Sequence, residues 1–214
     1  MIGYYNYTVV LTFMSLISAL VGTTLSIDGV HLGAIACLAL SGFFDMLDGP
    51  VARTKSDRSH DERLFGIQLD SLCDLVAFGV FPVVICFNLG VKGPIGFVVL
   101  IYFAVCGVIR LGYFNVRETN NFFSEEVHEK IFIGLPITSI AVVLPLVYLL
   151  STFMTDQAFV LVLHFVLLIV GTLFIGNFQV HKPKLRTLII FCVLVAIAIA
   201  AVAIIDFPHL IFEP

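Results

Sequence analysis

The sequence predicts an all-α integral membrane protein, a polytopic helical bundle, and three observations carry that expectation. Hydrophobic residues make up 60% of the 214 and charged residues only 12%, about half the charged share of an ordinary soluble domain. Mean hydropathy is +1.09. Seven apolar segments, near 7–26, 31–52, 66–89, 95–116, 131–151, 157–178 and 187–206, are long enough to cross a hydrocarbon core as helices. Little length remains for a soluble module, so residues 1–214 read as a single membrane domain.

Each element follows from its residues. Asn6 and Thr8 begin the first span, which has no basic segment before it and no small-residue cleavage site after it, so it reads as an uncleaved helix. The second span ends in Asp45 and Asp48. The charged loop run Asp57, Arg58, His60, Asp61, Glu62 and Arg63 reads as a solvated surface, and Asp70 and Asp74 sit near the start of the third span. Gly90–Pro94 punctuate the passage to the fourth span, which ends in Arg110 and Asn115. Lys130 leads into the fifth, whose first turns hold Gly134 and Pro136, a normal place for proline. The sixth span ends at Asn177, and 187–206 form the extra C-terminal span. Cys37, Cys73, Cys86, Cys106 and Cys192 lie in apolar runs without ligand-like spacing and read as small core hydrophobes. No basic stripe with interleaved aromatics exists, which argues against nucleic acid as a partner.

Alternate loops differ in charge. Arg53, Lys55, Arg58, Arg63, Arg117, Lys130, Lys182, Lys184 and Arg186 fall in one set, and Lys92 stands alone in the other. That bias predicts basic loops and N-terminus in the cytoplasm and the C-terminus outside. Asn6, Thr8, Asp45, Asp48, Asp70, Asp74, Arg110, Asn115, Gly134, Pro136 and Asn177 then converge on one layer at the inner leaflet.

The four aspartates are the residues that need explaining, because a charge at membrane depth is costly and rarely kept without function. Asp45 and Asp48 are three apart and Asp70 and Asp74 four apart, so each pair shares a helix face. Two such faces form a cage for hard divalent cations, which prefer oxygen ligands. Ions held there can clamp a diphosphate and orient a nucleophile for in-line displacement. Gly49 and Gly66 remove side chains where a base or phosphate approaches, Ala52 is small, and Arg53 offers a fork for phosphate oxygens. A carboxylate-lined cation pathway is the alternative, although a transporter more naturally places its acids near the bilayer midplane. Arg110 suits either an aspartate or an anionic group of an acceptor. Asn115 and Lys130 are further acceptor or phosphate candidates, with helix capping and ordinary positive-inside placement as their plainer roles.

The pattern Asp45-x-x-Asp48-Gly49-x-x-Ala52-Arg53, then Gly66-x-x-x-Asp70-x-x-x-Asp74, resembles the signature of the CDP-alcohol phosphatidyltransferase family. The runs from Asp74 to Pro82, Cys106 to Asn115 and Phe132 to Pro136 are similar to one branch, the CDP-diacylglycerol–serine O-phosphatidyltransferases, and the resemblance covers about 5–184, a six-helix core. It implies Asp45, Asp48, Asp70 and Asp74 as ligands of Mg2+ or Mn2+, two ions in all, with Asp74 also the general base. It implies that Asp48, Gly49, Ala52, Arg53 and Gly66 contact the cytidine diphosphate portion. The implied substrates are CDP-diacylglycerol and L-serine, in a homodimer of the cytoplasmic membrane with its active site facing the cytoplasm. Glycerol 3-phosphate or an inositol phosphate as acceptor, and an archaeal-type CDP-lipid as donor, stay open. A phosphorylated acceptor should demand basic residues beyond Arg110, Arg117 and Lys130. Twelve residues separate Arg53 from Gly66, a longer loop than the family usually has. Tyr5 stands where the branch has proline, and 176–180 depart from the branch's usual segment.

Overall fold

A computed structural model describes residues 3–4, 6–55, 57–123 and 132–180. The chain is a bundle of helices in this order: α1 (Val10–Ile27, led by a 3-10 turn at Tyr7–Val9), α2 (His31–Ala52), α3 (His60–Asp74), α4 (Phe81–Asn88), α5 (Gly93–Phe123), α6 (Ile140–Tyr148) and α7 (Asp156–Ile175). Helices dominate because lipid offers backbone groups no partners, so each segment must satisfy its own. A two-residue antiparallel pairing, β1 (Phe132–Ile133) with β2 (Gln179–Val180), is the one addition to the all-α plan among the described residues.

Five stretches are long and apolar enough to cross a bilayer: Tyr7–Ile27, His31–Ala52, His60–Asn88, Gly93–Asn120 and Asp156–Ile175. They match the first, second, third, fourth and sixth expected spans, so the polytopic all-α membrane fold stands. The fifth expected span, 131–151, is corrected to a shorter apolar stretch, Ile137–Phe153. Its start is delayed because the backbone donors of Gly134 and Leu135 are taken by the carbonyls of Phe178 and Leu173, at 2.8 and 3.0 Å. Pro136 then holds extended backbone as the cap of the following 3-10 turn. The 3-10 turns at both ends rise more per residue than an α-helix, so the stretch still reaches about 30 Å. The seventh expected span, 187–206, lies outside the described residues.

The turns on the side opposite the charged loop share one closure. Val30 N–H donates to Leu25 O at 2.8 Å and Val91 N–H to Cys86 O at 3.0 Å. Gly29 and Gly90 adopt φ of +80° and +108° between them. Both are Schellman caps, for which glycine is the favoured residue.

Small and polar side chains hold α1 against α2. The Ser15 and Ser41 hydroxyls meet at 2.8 Å, and Ser18 donates to the Cys37 carbonyl at 2.9 Å. Lipid provides little hydrophobic drive between helices, so close approach and buried hydrogen bonds do this work. Gly22 is the tightest point: a Cβ there would sit 2.3 Å from the Phe81 ring and 2.6 Å from Cys37 Cβ. Phe81 is fully buried and cannot swing away. Gly22→Ala should therefore cost about 1–3 kcal/mol through overpacking, read as a lower unfolding midpoint in detergent; an unchanged midpoint would contradict this packing.

A π-helical stretch, Leu75–Val80, joins α3 to α4, with Phe81 N–H bonded back to Val76 O. Pro82 lacks a donor for the Phe78 carbonyl and its ring crowds that group, which widens the turn ahead of it. Rows on either side of the stretch are thereby rotated relative to one another. Asp70 and Asp74 face α2, while Phe78, Phe81 and Ile85 fill the apolar core with Leu38, Phe103 and Leu144.

Candidate active site

Two helices meet with their acidic faces together. Single oxygens of Asp45 on α2 and of Asp70 and Asp74 on α3 all lie within 4.8 Å of one another. The Asp45 carboxyl lies against that of Asp74, and Asp48 against Asp70. Spacing within each helix puts the members of a pair on one face; packing of α1 against both α2 and α3 turns the two faces toward each other. No ion pair reaches any of the four among the described residues. Facing carboxylates that are shielded from water and lack a basic partner repel one another, so a cation is the natural completion.

The donor set fits a hard divalent ion. All donors are carboxylate oxygens. Asp70 Oδ1 is buried with no hydrogen-bond partner, and buried polar atoms left orphaned call for an explanation such as an ion. Asp45, Asp70 and Asp74 could share one ion directly, with Asp48 beside them against Asp70.

Thr12 belongs to this site and sequence reasoning missed it. From the buried face of α1 its hydroxyl donates to Asp48 Oδ2 at 3.1 Å, fixing one oxygen of that carboxylate. The available signal was the run of small polar residues Thr12, Ser15 and Ser18 on one helix face, which reads from sequence as helix packing alone. Asn6 and Thr8 act locally, as read: Asn6 caps the first turn by accepting from Thr8 N–H at 2.9 Å.

Gly49 and Gly66 border open space. A Cβ at Gly49 would meet nothing within 4 Å, and one at Gly66 only the Arg58 guanidinium at 3.9 Å. Neither has positive φ. Protein packing thus requires neither glycine, which is what a surface left clear for a ligand looks like. Ala52 closes α2 and Arg53 caps it, exposed, with its N–H on Gly49 O at 3.2 Å.

Other expected residues fall elsewhere. Arg110 pairs with no aspartate among the described residues: it is 7% exposed, and its Nε–H donates to Leu135 O at 2.9 Å. It lines a cavity of about 260 Å³ with Ile109, Tyr113, Phe174, Gly176 and Asn177, to which none of the four aspartates contributes. Asn115 is occupied by α3, accepting from Ser71 Oγ at 2.5 Å and donating to Gln68 Oε1 at 3.4 Å. That network ties α5 to the helix that carries Asp70 and Asp74. Lys130 lies outside the described residues.

The expected loop also needs correction, because His60 to Arg63 are helical. Ser59 accepts from Glu62 N–H at 3.2 Å and Glu62 accepts from Ser59 N–H at 3.0 Å, a reciprocal capping box that starts α3 six residues before the expected span. The N-terminal segment docks there: Tyr4 donates to Asp61 at 3.3 Å and stacks edge-on against Phe65. The Asp61 carboxylate holds the Tyr4 phenol above its ordinary pKa.

Comparison with known proteins shows which family the chain resembles. A CDP-diacylglycerol–serine O-phosphatidyltransferase of Saccharomyces cerevisiae is 42% identical over 107 residues, 49% of this chain and 37% of the relative. One from Mycobacterium bovis is 32% identical over 59% of this chain and 43% of its own length. The matched stretches thus span less than half the length of those two relatives. An archaetidylserine synthase of Methanothermobacter thermautotrophicus is 34% identical over 74% of this chain and 65% of its own length. The family model described as CDP-alcohol phosphatidyltransferase matches residues 5–174, which takes in all four aspartates, Thr12 and both open glycines. On that match over most of its length, the chain belongs to the CDP-alcohol phosphatidyltransferase family.

Proposed function

We propose that the protein transfers the phosphatidyl group of CDP-diacylglycerol to the hydroxyl of L-serine, giving phosphatidylserine and CMP. One observation carries the reading: carboxylates of two neighbouring membrane helices converge within 4.8 Å, with no basic partner among the described residues. Serine is common to the names of the relatives described above. Their donor lipids differ, so the acceptor is better supported than the donor's tails, and an archaeal-type CDP-lipid is the second reading.

Asp45, Asp48, Asp70 and Asp74 hold two divalent ions, Mg2+ or Mn2+, in this proposal. Bound there, the ions would neutralise the pyrophosphate and the departing CMP oxygen. Asp74 takes the proton of the serine hydroxyl as its oxygen bonds to the lipid-bearing phosphorus, and the bond from that phosphorus to CMP breaks with its electron pair on CMP. Thr12 keeps Asp48 oriented. Gly49, Ala52, Arg53 and Gly66 receive the nucleotide diphosphate. Arg110, with a fork suited to carboxylates, binds the serine carboxylate from its cavity. Asn115 serves better as a brace for α3 than as a substrate contact, since its amide is already engaged. The protein works as a homodimer of the cytoplasmic membrane, with this site on the cytoplasmic side and the lipid tails left in the bilayer.

The test is purified protein given CDP-diacylglycerol and labelled serine, glycerol 3-phosphate or inositol phosphate, with metal or with EDTA. Labelled phosphatidylserine should form with serine alone, vanish in EDTA and return with Mg2+ or Mn2+. Full activity in EDTA, or ion flux in liposomes without CMP release, would contradict the proposal.

A further inference from the structure

We infer that Arg58, in the long cytoplasmic loop between α2 and α3, is a phosphate-binding residue for the nucleotide diphosphate of the donor. The inference rests on the donor reading above and adds a contact outside the signature positions. Sequence alone placed Arg58 on a solvated surface; the structure instead half-buries it. Its guanidinium reaches back along α3, with one terminal nitrogen 3.9 Å from where a Gly66 Cβ would stand. Gly66 lies one turn before Asp70 on the same face. Arg58 therefore sits over the open surface that leads to the acidic cage.

Arg58 Nε is buried and, among the described residues, has no hydrogen-bond acceptor. Carboxylates are close in sequence, yet none is paired with it among the described residues: Glu62 is engaged by Lys55 at 3.5 Å and by Ser59 N–H, and Asp61 by Tyr4. A buried donor without an acceptor is costly, and more so when charged, whereas a planar fork matches phosphate oxygens in two-point contact. Gly66 leaves the surface beside the guanidinium open, so a phosphate can reach the arginine along that edge of the helix. The longer segment between Arg53 and Gly66, a loop followed by the first turns of α3, supplies the reach. An ammonium could deliver the charge but not the fork, so lysine would replace only part of the function.

The test is binding of CDP and of cytidine to purified full-length protein, together with KM values for CDP-diacylglycerol and serine. Arg58→Ala should weaken CDP about tenfold and raise the KM for CDP-diacylglycerol to match, while cytidine affinity and the KM for serine stay as in wild type. Arg58→Lys should recover part of the loss, and Arg63→Ala, exposed one turn into α3, should change neither. CDP affinity within twofold of wild type in Arg58→Ala, or equal weakening of CDP and cytidine, would overturn the inference. Wild type that binds CDP through Arg58 but makes no phosphatidylserine would overturn the transfer reading alone. Wild type that binds no CDP would overturn both.

Discussion

Replacing Asp70 by asparagine should lower CMP release from a CDP-lipid by roughly a hundredfold or more. Loss of an outer-shell partner alone typically costs roughly 10–100-fold at a metal site, and Asp70 is a candidate first ligand with a buried oxygen that nothing else satisfies. Asparagine keeps the shape and one carbonyl oxygen, so the helix has no reason to move. It also removes one of four like charges that face each other with no basic partner among the described residues. In EDTA the variant should therefore unfold at the same temperature as wild type or higher. Lost activity with retained or improved stability marks a residue kept for chemistry rather than for the fold. Activity within threefold of wild type would remove Asp70 from the metal set, and a large fall in unfolding temperature would make its role structural.

Asp74→Asn should also abolish turnover, but with a different signature. The amide cannot accept the serine proton, and loss of a general base typically costs about 10²–10⁴-fold. Asp45, Asp48 and Asp70 remain on both helices, so CDP and metal should still bind in part. The two substitutions thus separate proton transfer from ion holding: Asp70→Asn should weaken metal-dependent CDP binding more than Asp74→Asn does. Near-normal turnover by Asp74→Asn would refute its role as base, and equal loss of CDP binding in both variants would assign it to ion holding alone.

The sequence made these residues visible for a local reason. Spacings of three and four define a shared helix face wherever the helix lies, so each pair was readable without knowing the packing. Whether the two faces met was not, because that depends on how α1, α2 and α3 pack. The same limit explains Thr12, whose hydroxyl matters only because α1 brings it against Asp48. Apolar runs located the spans well, since hydropathy is a local quantity, yet they missed where helices start and widen. Ser59 and Glu62 spelled a capping box inside a charged run read as loop, and α3 begins there. The π-stretch after Asp74 depends on Pro82, eight residues further on. Ile137–Phe153 begins late because 134 and 135 give their backbone donors to carbonyls at 173 and 178, a long-range exchange with no local mark. Arg110 and Arg58 show the limit most plainly: basic residues were counted for orientation, but only the fold tells which are buried beside a cavity or over a glycine.

Anomalous diffraction from crystals grown with Mn2+ and CDP addresses the site most directly. The account predicts density at about 2.0–2.2 Å from oxygens of both helices, Asp45 on one and Asp70 or Asp74 on the other. An ion bound by carboxylates of a single helix, or no ion between α2 and α3 in protein that is active, would contradict it.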